Sequence, residues 1–84
     1  MENIMMKHIK MIERIDRLIR MQATGTPDQL ASKLGVSKPK VYRLINIMKE
    51  LNAPIVYDFS IQSYVYENHV GFRFGFYEGV GMRA

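Results

Sequence analysis

Five cations occupy the stretch from Lys33 to Lys49, and no Asp or Glu interrupts them: Lys33, Lys38, Lys40, Arg43 and Lys49. Each offers N–H donors and a positive charge, the complement of a phosphate oxygen. Arg43 adds a planar fork that matches two acceptors at once. Tyr42 and Asn46 lie in the same stretch and add a hydroxyl on a ring and a side-chain amide. Elsewhere the chemistry is sparse. His8 and His69 are far apart with no cysteine to help them, so both read as surface residues and no metal is expected. Asp58 and Glu67 read as facing each other near a hairpin, but two carboxylates without a pocket make no acid–base pair. The chain shows no glycine-rich phosphate loop and no nucleophile–base arrangement. The expectation is a binding protein, not an enzyme, with no cofactor.

The elements that must hold these cations are legible in the spacing. Asn3 to Gln22 reads as a first helix, with Met5, Ile9, Ile12, Ile15 and Ile19 on one face and Met11 and Leu18 widening it. Glu13–Arg17 and Asp16–Arg20 are favourable four-residue ion pairs. Ala23-Thr24-Gly25 breaks that helix. Thr26 then caps a second one, with Pro27 at its first position and Gln29 completing a capping box. Leu30, Ala31 and Leu34 face inward, and Gly35 ends the helix in a left-handed conformation. Val36 is the buried residue of the turn. Ser37 caps a third helix, 38–51, in which Val41, Leu44, Ile45, Met48 and Leu51 point inward. Asn52 and Pro54 end it.

After Pro54 the period changes to two. Ile55, Tyr57 and Phe59, then Tyr64 and Tyr66, predict two aromatic strands around a turn at Ser60-Ile61-Gln62-Ser63. Their tyrosines read as cross-strand packing partners, with a base-stacking platform as the alternative. Phe72, Phe74 and Phe76 share one side of an extended tail, expected as a third strand or as a contact between subunits. The expected fold is therefore mainly α with a small β-hairpin. Residues 1–67 form the domain and 68–84 an extended C-terminal tail.

The bulk composition agrees. The 84 residues suffice for one small domain, 48% are apolar, and there is no cysteine to staple it, so packing or oligomerisation must supply stability. The net charge of +4 favours a polyanionic partner, and its concentration in one helix says more than its size. No apolar run approaches a membrane span or a signal-peptide core, which makes the cytoplasm the expected location. Two short helices joined by a tight turn, the second of them basic, suit the major groove of DNA.

Ala31, Gly35, Val36, Val41 and Leu44 match the helix-turn-helix pattern of bacterial transcription regulators. The run QLASKLGVSKPKVYRLINIMKELNAPIVYD resembles the winged helix-turn-helix domains of the biotin-repressor and DeoR types. That resemblance implies a three-helix core, a two-stranded wing, and a third helix lying in the major groove. It puts Ser37, Lys38, Pro39, Tyr42, Arg43 and Asn46 on the outward face. Arg43 would meet guanine and Asn46 adenine. Lys38, Lys40 and Lys49 would meet phosphates. Tyr42 would touch a phosphate or a thymine methyl, and Thr26 with the N–H groups at its helix start another phosphate. The implied partner is double-stranded DNA, bound by a homodimer that regulates transcription. Two features depart from the family. The expected wing tip carries no Lys or Arg, so a wing–DNA contact does not carry over. No effector-binding domain follows the wing, so a small-molecule effector is not expected. The competing reading is a protein-interaction module using the first helix and residues 72–76, and a third is a nonspecific DNA binder.

Overall fold

Asn3 opens α1 (Ile4–Arg20) by accepting the Met6 N–H through its side chain at 2.8 Å. The structure, a computed structural model, describes residues 3–76. Ile12, Ile15 and Ile19 are buried, whereas Met5 is exposed and Ile9 only half-buried. The apolar face is thus used along the second half of α1. Seventeen residues make a helix of about 25 Å, and its first turns line an apolar groove with Leu51, Phe72 and Phe74. Asp16 and Arg20 form the expected ion pair. Glu13 and Arg17 do not.

Thr26 begins α2 (Pro27–Leu34) with both halves of the capping box closed. Its hydroxyl accepts the Gln29 N–H, and the Gln29 side chain accepts the Thr26 N–H. Gly35 ends α2 at φ 69°, a conformation that a Cβ would disfavour. Val36 N–H reaches back to the Ala31 carbonyl at 3.0 Å, and the Val36 side chain is half-buried rather than fully enclosed.

Ser37 caps α3 (Lys38–Glu50), and Val41, Leu44, Ile45 and Met48 point into the core. Leu51, expected inward, is instead 62% exposed. It is the residue at which the helix stops, and Asn52 follows at φ 73°. The chain turns so sharply that Ala53 N–H bonds the Met48 carbonyl, and Ala53 and Ile55 close this end of the core in place of Leu51.

The hairpin pairs β1 (Ile55–Asp58) with β2 (Ser63–Tyr66), antiparallel, with Tyr57 opposite Tyr64 and Asp58 opposite Ser63. The turn is therefore Phe59–Gln62, one residue earlier than expected. Asp58 causes the shift: its carboxylate accepts the Ser60 N–H at 2.9 Å and the Ser60 hydroxyl at 2.6 Å, which bends the chain before Phe59 can pair. Gln62 completes the turn at φ 50°. Glu67 pairs with the Pro54 carbonyl at the other end of the hairpin, so it does not face Asp58. Phe72–Phe76 is not a third strand. Gly75 at φ 118° breaks the extended path, and the sheet has two strands among the described residues. Phe72 packs on the core, Phe74 is 54% exposed and Phe76 is fully exposed.

The core is one cluster. Ile15, Leu30, Val41 and Leu44 are fully enclosed, and Ile55 and Tyr64 join from the hairpin. Each such side chain contributes roughly 1.5–3 kcal/mol by leaving water. The result is three helices and a two-stranded antiparallel hairpin, the layout of a winged helix.

Candidate nucleic-acid interface

With 3.6 residues per turn, the inward anchors of α3 leave one continuous outward arc. Lys38, Pro39, Tyr42, Arg43, Asn46 and Lys49 lie on it and are all exposed. The structure brings these six together on one face. Ser37 stands at its start, its hydroxyl accepting the Lys40 N–H at 3.3 Å.

The five cations divide into two groups. Lys33 donates its ammonium to the Ala23 carbonyl, so it ties α2 to the preceding loop. Lys38 lies 3.6 Å from the Asp28 carboxylate, which partly neutralises it, though both side chains stay solvated. Lys40 departs from its expected role. It is half-buried and turns away from the outward arc toward α1, with its ammonium 3.3 Å from His8 Nε2. The lysine donates in that pair, which requires an unprotonated Nε2. His8 is accordingly half-buried, not the plain surface residue expected. Arg43 and Lys49 form no side-chain bond or ion pair with any described residue, and neither does Asn46.

Thr26 is less open to an anion than expected. Its hydroxyl oxygen and its N–H are both engaged with Gln29, and Pro27 has no N–H to offer. Only the hydroxyl proton and the Asp28 N–H remain at this helix start, beside the Asp28 charge.

Two polar clusters hold the hairpin against the helices through contacts that spacing does not reveal. Thr24 and Ser63 are fully enclosed, with their hydroxyls 3.1 Å apart. Thr24 Oγ1 accepts the Tyr64 N–H at 2.8 Å, and Ser63 Oγ accepts the Thr24 N–H at 3.2 Å. Two proton arrangements satisfy the pair. Either Thr24 donates to Ser63, which donates to the Tyr64 carbonyl, or Ser63 donates to Thr24, which donates to the Gly25 carbonyl. The second cluster joins α1 to β2. The buried Asp16 accepts from Arg20 Nε at 3.0 Å and from the Tyr66 hydroxyl at 2.7 Å. The Arg20 guanidinium also lies 5.2 Å from the Tyr66 ring centroid. Burial, then the bond to Asp16, pushes the Tyr66 phenol above its ordinary range. A four-residue Asp–Arg spacing marks the helix pair, but nothing in spacing marks Tyr66 as its third member.

Among the described residues no group of three or more His, Cys, Asp or Glu stands close enough to hold a metal ion. No helix among them is long and apolar enough to cross a membrane. The chain matches no protein-family model, no curated protein and no solved structure.

Proposed function

We propose that this chain binds double-stranded DNA with α3 in the major groove and acts as a transcriptional regulator in the cytoplasm, without catalytic activity. One observation carries the reading. Arg43, Asn46 and Lys49 stand exposed on one helix face, and no described residue satisfies their donors and acceptors. Arg43 matches the two acceptors of guanine and Asn46 the donor–acceptor pair of adenine. Lys49 and Lys38 meet phosphates on either side, positioning the helix without reading sequence. The resemblance to the biotin-repressor and DeoR domains supports the same docking, and Lys40 drops out of it.

A second copy of the chain completes the proposed unit. Ile4, Met5, Leu51 and Phe74 are all exposed around an apolar groove that Ile9, Ile12 and Phe72 floor. An apolar surface of this kind favours a partner over water. It is built from α1, the tail and the end of α3, where Ile47 and Leu51 line it. The same groove is what a protein-interaction module would use.

Fluorescence anisotropy of the purified chain against a random duplex pool and its host's upstream regions, across a salt series, tests the proposal. A steep fall in affinity with salt, plus tighter binding to one sequence, is expected. Salt-dependent binding without preference reduces the reading to a nonspecific binder. Absence of binding at low salt defeats it and leaves the protein-interaction module.

A further inference from the structure

A cleft of about 470 Å³ opens between α3 and the hairpin, and its walls are aromatic. Tyr42 comes from α3; Tyr57, Phe59 and Tyr64 come from the hairpin. The hairpin rings lock edge to face, Phe59 to Tyr57 at 4.9 Å and Tyr57 to Tyr64 at 5.0 Å. Burial, with Tyr42 and Tyr57 close by, raises the Tyr64 phenol above its usual range. Phe59 is 82% exposed at the turn. The Asp58–Ser60 bonds hold the turn in the shape that presents it. A phenylalanine held this far into water lacks a partner that would cover its face.

Charge selects the occupant. The cleft residues themselves are neutral, but Tyr42 stands on the same helix face as Arg43, Asn46 and Lys49. A ligand that stacks on the rings therefore extends toward cations, which suits a base attached to a phosphate chain. A proline-rich peptide would use the rings and gain nothing from Arg43 or Lys49. Gln62 and Thr26 line the same cleft and add polar groups for a base edge. The Thr26 hydroxyl accepts from Gln29, which leaves its proton to donate. Asp58, next to Phe59 and held ionised by its bonds to Ser60, keeps phosphates off the turn itself.

We infer that this cleft takes one unpaired or extruded nucleobase from the DNA that α3 holds. The inference rests on the DNA reading of α3 and gives the wing a role that needs no Lys or Arg at its tip. Every base has a π-face, so the contact is tolerant of sequence and adds to the specificity of α3 without replacing it.

The test compares a paired duplex with the same duplex carrying a single unpaired base, each scanned through the site, by anisotropy at fixed salt. The unpaired base avoids the cost of leaving a stack. The full chain is expected to prefer it by about tenfold, the scale of one base–aromatic stack. Phe59→Ala brings the ratio close to one, and Phe59→Trp, which restores a ring, brings the preference back. Far-ultraviolet circular dichroism confirms that both variants are folded, as expected for so exposed a position. A ratio near one in the unaltered chain, with paired duplex still bound, overturns the cleft assignment and leaves the α3 reading standing. A ratio unchanged by Phe59→Ala overturns it as well. Failure to bind any duplex removes the α3 reading and this inference together.

Discussion

Arg20 and Arg43 are the same residue type on two helices of one small domain, and the structure treats them in opposite ways. Arg20 is bound by Asp16 through Nε and Nη2 and lies over the Tyr66 ring, so it is held by groups inside the chain. Arg43 stands on α3 with no partner among the described residues. The contrast extends to the surfaces they belong to. Along the seam between α1, the α1–α2 loop and the hairpin, Asp16 is bonded to Tyr66 and Thr24 to Ser63, and no buried polar side-chain atom among the described residues is left unpaired. On the outward arc of α3, Arg43, Asn46 and Lys49 have only solvent. Polar groups satisfied internally set where the hairpin lies. Polar groups left unsatisfied are the ones available to a partner. If that division is right, changes on the seam alter stability and changes on the arc alter binding, with little crossover.

Thr24→Val tests the seam most severely. Valine keeps the shape but removes the oxygen that accepts the buried Tyr64 N–H and the partner of the Ser63 hydroxyl. A buried donor without an acceptor bears its full desolvation penalty, so a stability loss of about 3 kcal/mol is expected. Urea unfolding should show the midpoint fall with the slope preserved. A loss under about 0.5 kcal/mol would mean that the pair does not anchor the hairpin.

Arg43→Ala is the matching test of the arc and should lower discrimination between preferred and random duplex by about 2 kcal/mol. Its effect on unfolding should stay within about 0.5 kcal/mol, because the side chain is exposed and unpartnered. An equal loss of affinity on both duplexes would remove Arg43 as a base reader and recast it as a phosphate contact.

The division between seam and arc also explains what the sequence made visible. The helices were legible because their signals are local: Thr26 and Ser37 as caps, Gly35 and Asn52 as left-handed stops. Helical period marked Val41, Leu44, Ile45 and Met48 as inward, and the outward residues implied by the family resemblance lie on the opposite face. The rest depended on contacts between residues far apart in the chain. Spacing could mark Lys33 and Lys40 as basic, but only the packing of α2 and α1 shows that Ala23 and His8 occupy them. Thr24 looked like part of a helix-breaking tripeptide, and its bonds are to residues on the hairpin. Phe59 continued an alternating pattern and read as strand, until the Asp58–Ser60 bonds put it in the turn. Leu51 continued a helical pattern past the point where the chain reverses.

Tyr66 carries the contrast into pH. Its hydroxyl donates to the Asp16 carboxylate, a charged acceptor, but the ring is half-exposed, so Tyr66→Phe should cost about 1 kcal/mol at neutral pH. Tyr64 and Tyr66 both have phenols raised above the ordinary value. The folded chain therefore retains protons that the unfolded chain releases above about pH 10. The stabilisation is complete below that point and declines as pH rises toward the folded values. Tyr66→Phe removes one of the two groups, so the gap between variant and parent should narrow at alkaline pH. A gap that stays constant up to pH 11 would place the cost of the substitution in packing and not in the bond to Asp16.

Asp28 gives the smallest expected change, and it tests the border between the two regions. It lies 3.6 Å from Lys38, in a pair so exposed that its net stabilisation is a few tenths of a kcal/mol at most. Asp28→Asn frees Lys38 for a phosphate and removes a repulsive charge from the edge of the interface. Affinity should rise by a few tenths of a kcal/mol on preferred and random duplex alike, because phosphate contacts do not read sequence. The opposing effect is loss of a favourable acid in the first turn of α2, which shows in unfolding and not in binding. Lys38→Ala separates the two. If Lys38 meets a phosphate, the benefit of Asp28→Asn should shrink when Lys38 is already absent, and the salt slope should fall by less than one unit because Asp28 already offsets part of its charge. An undiminished benefit in the double variant would leave Asp28 as a general repulsion and take Lys38 off the interface.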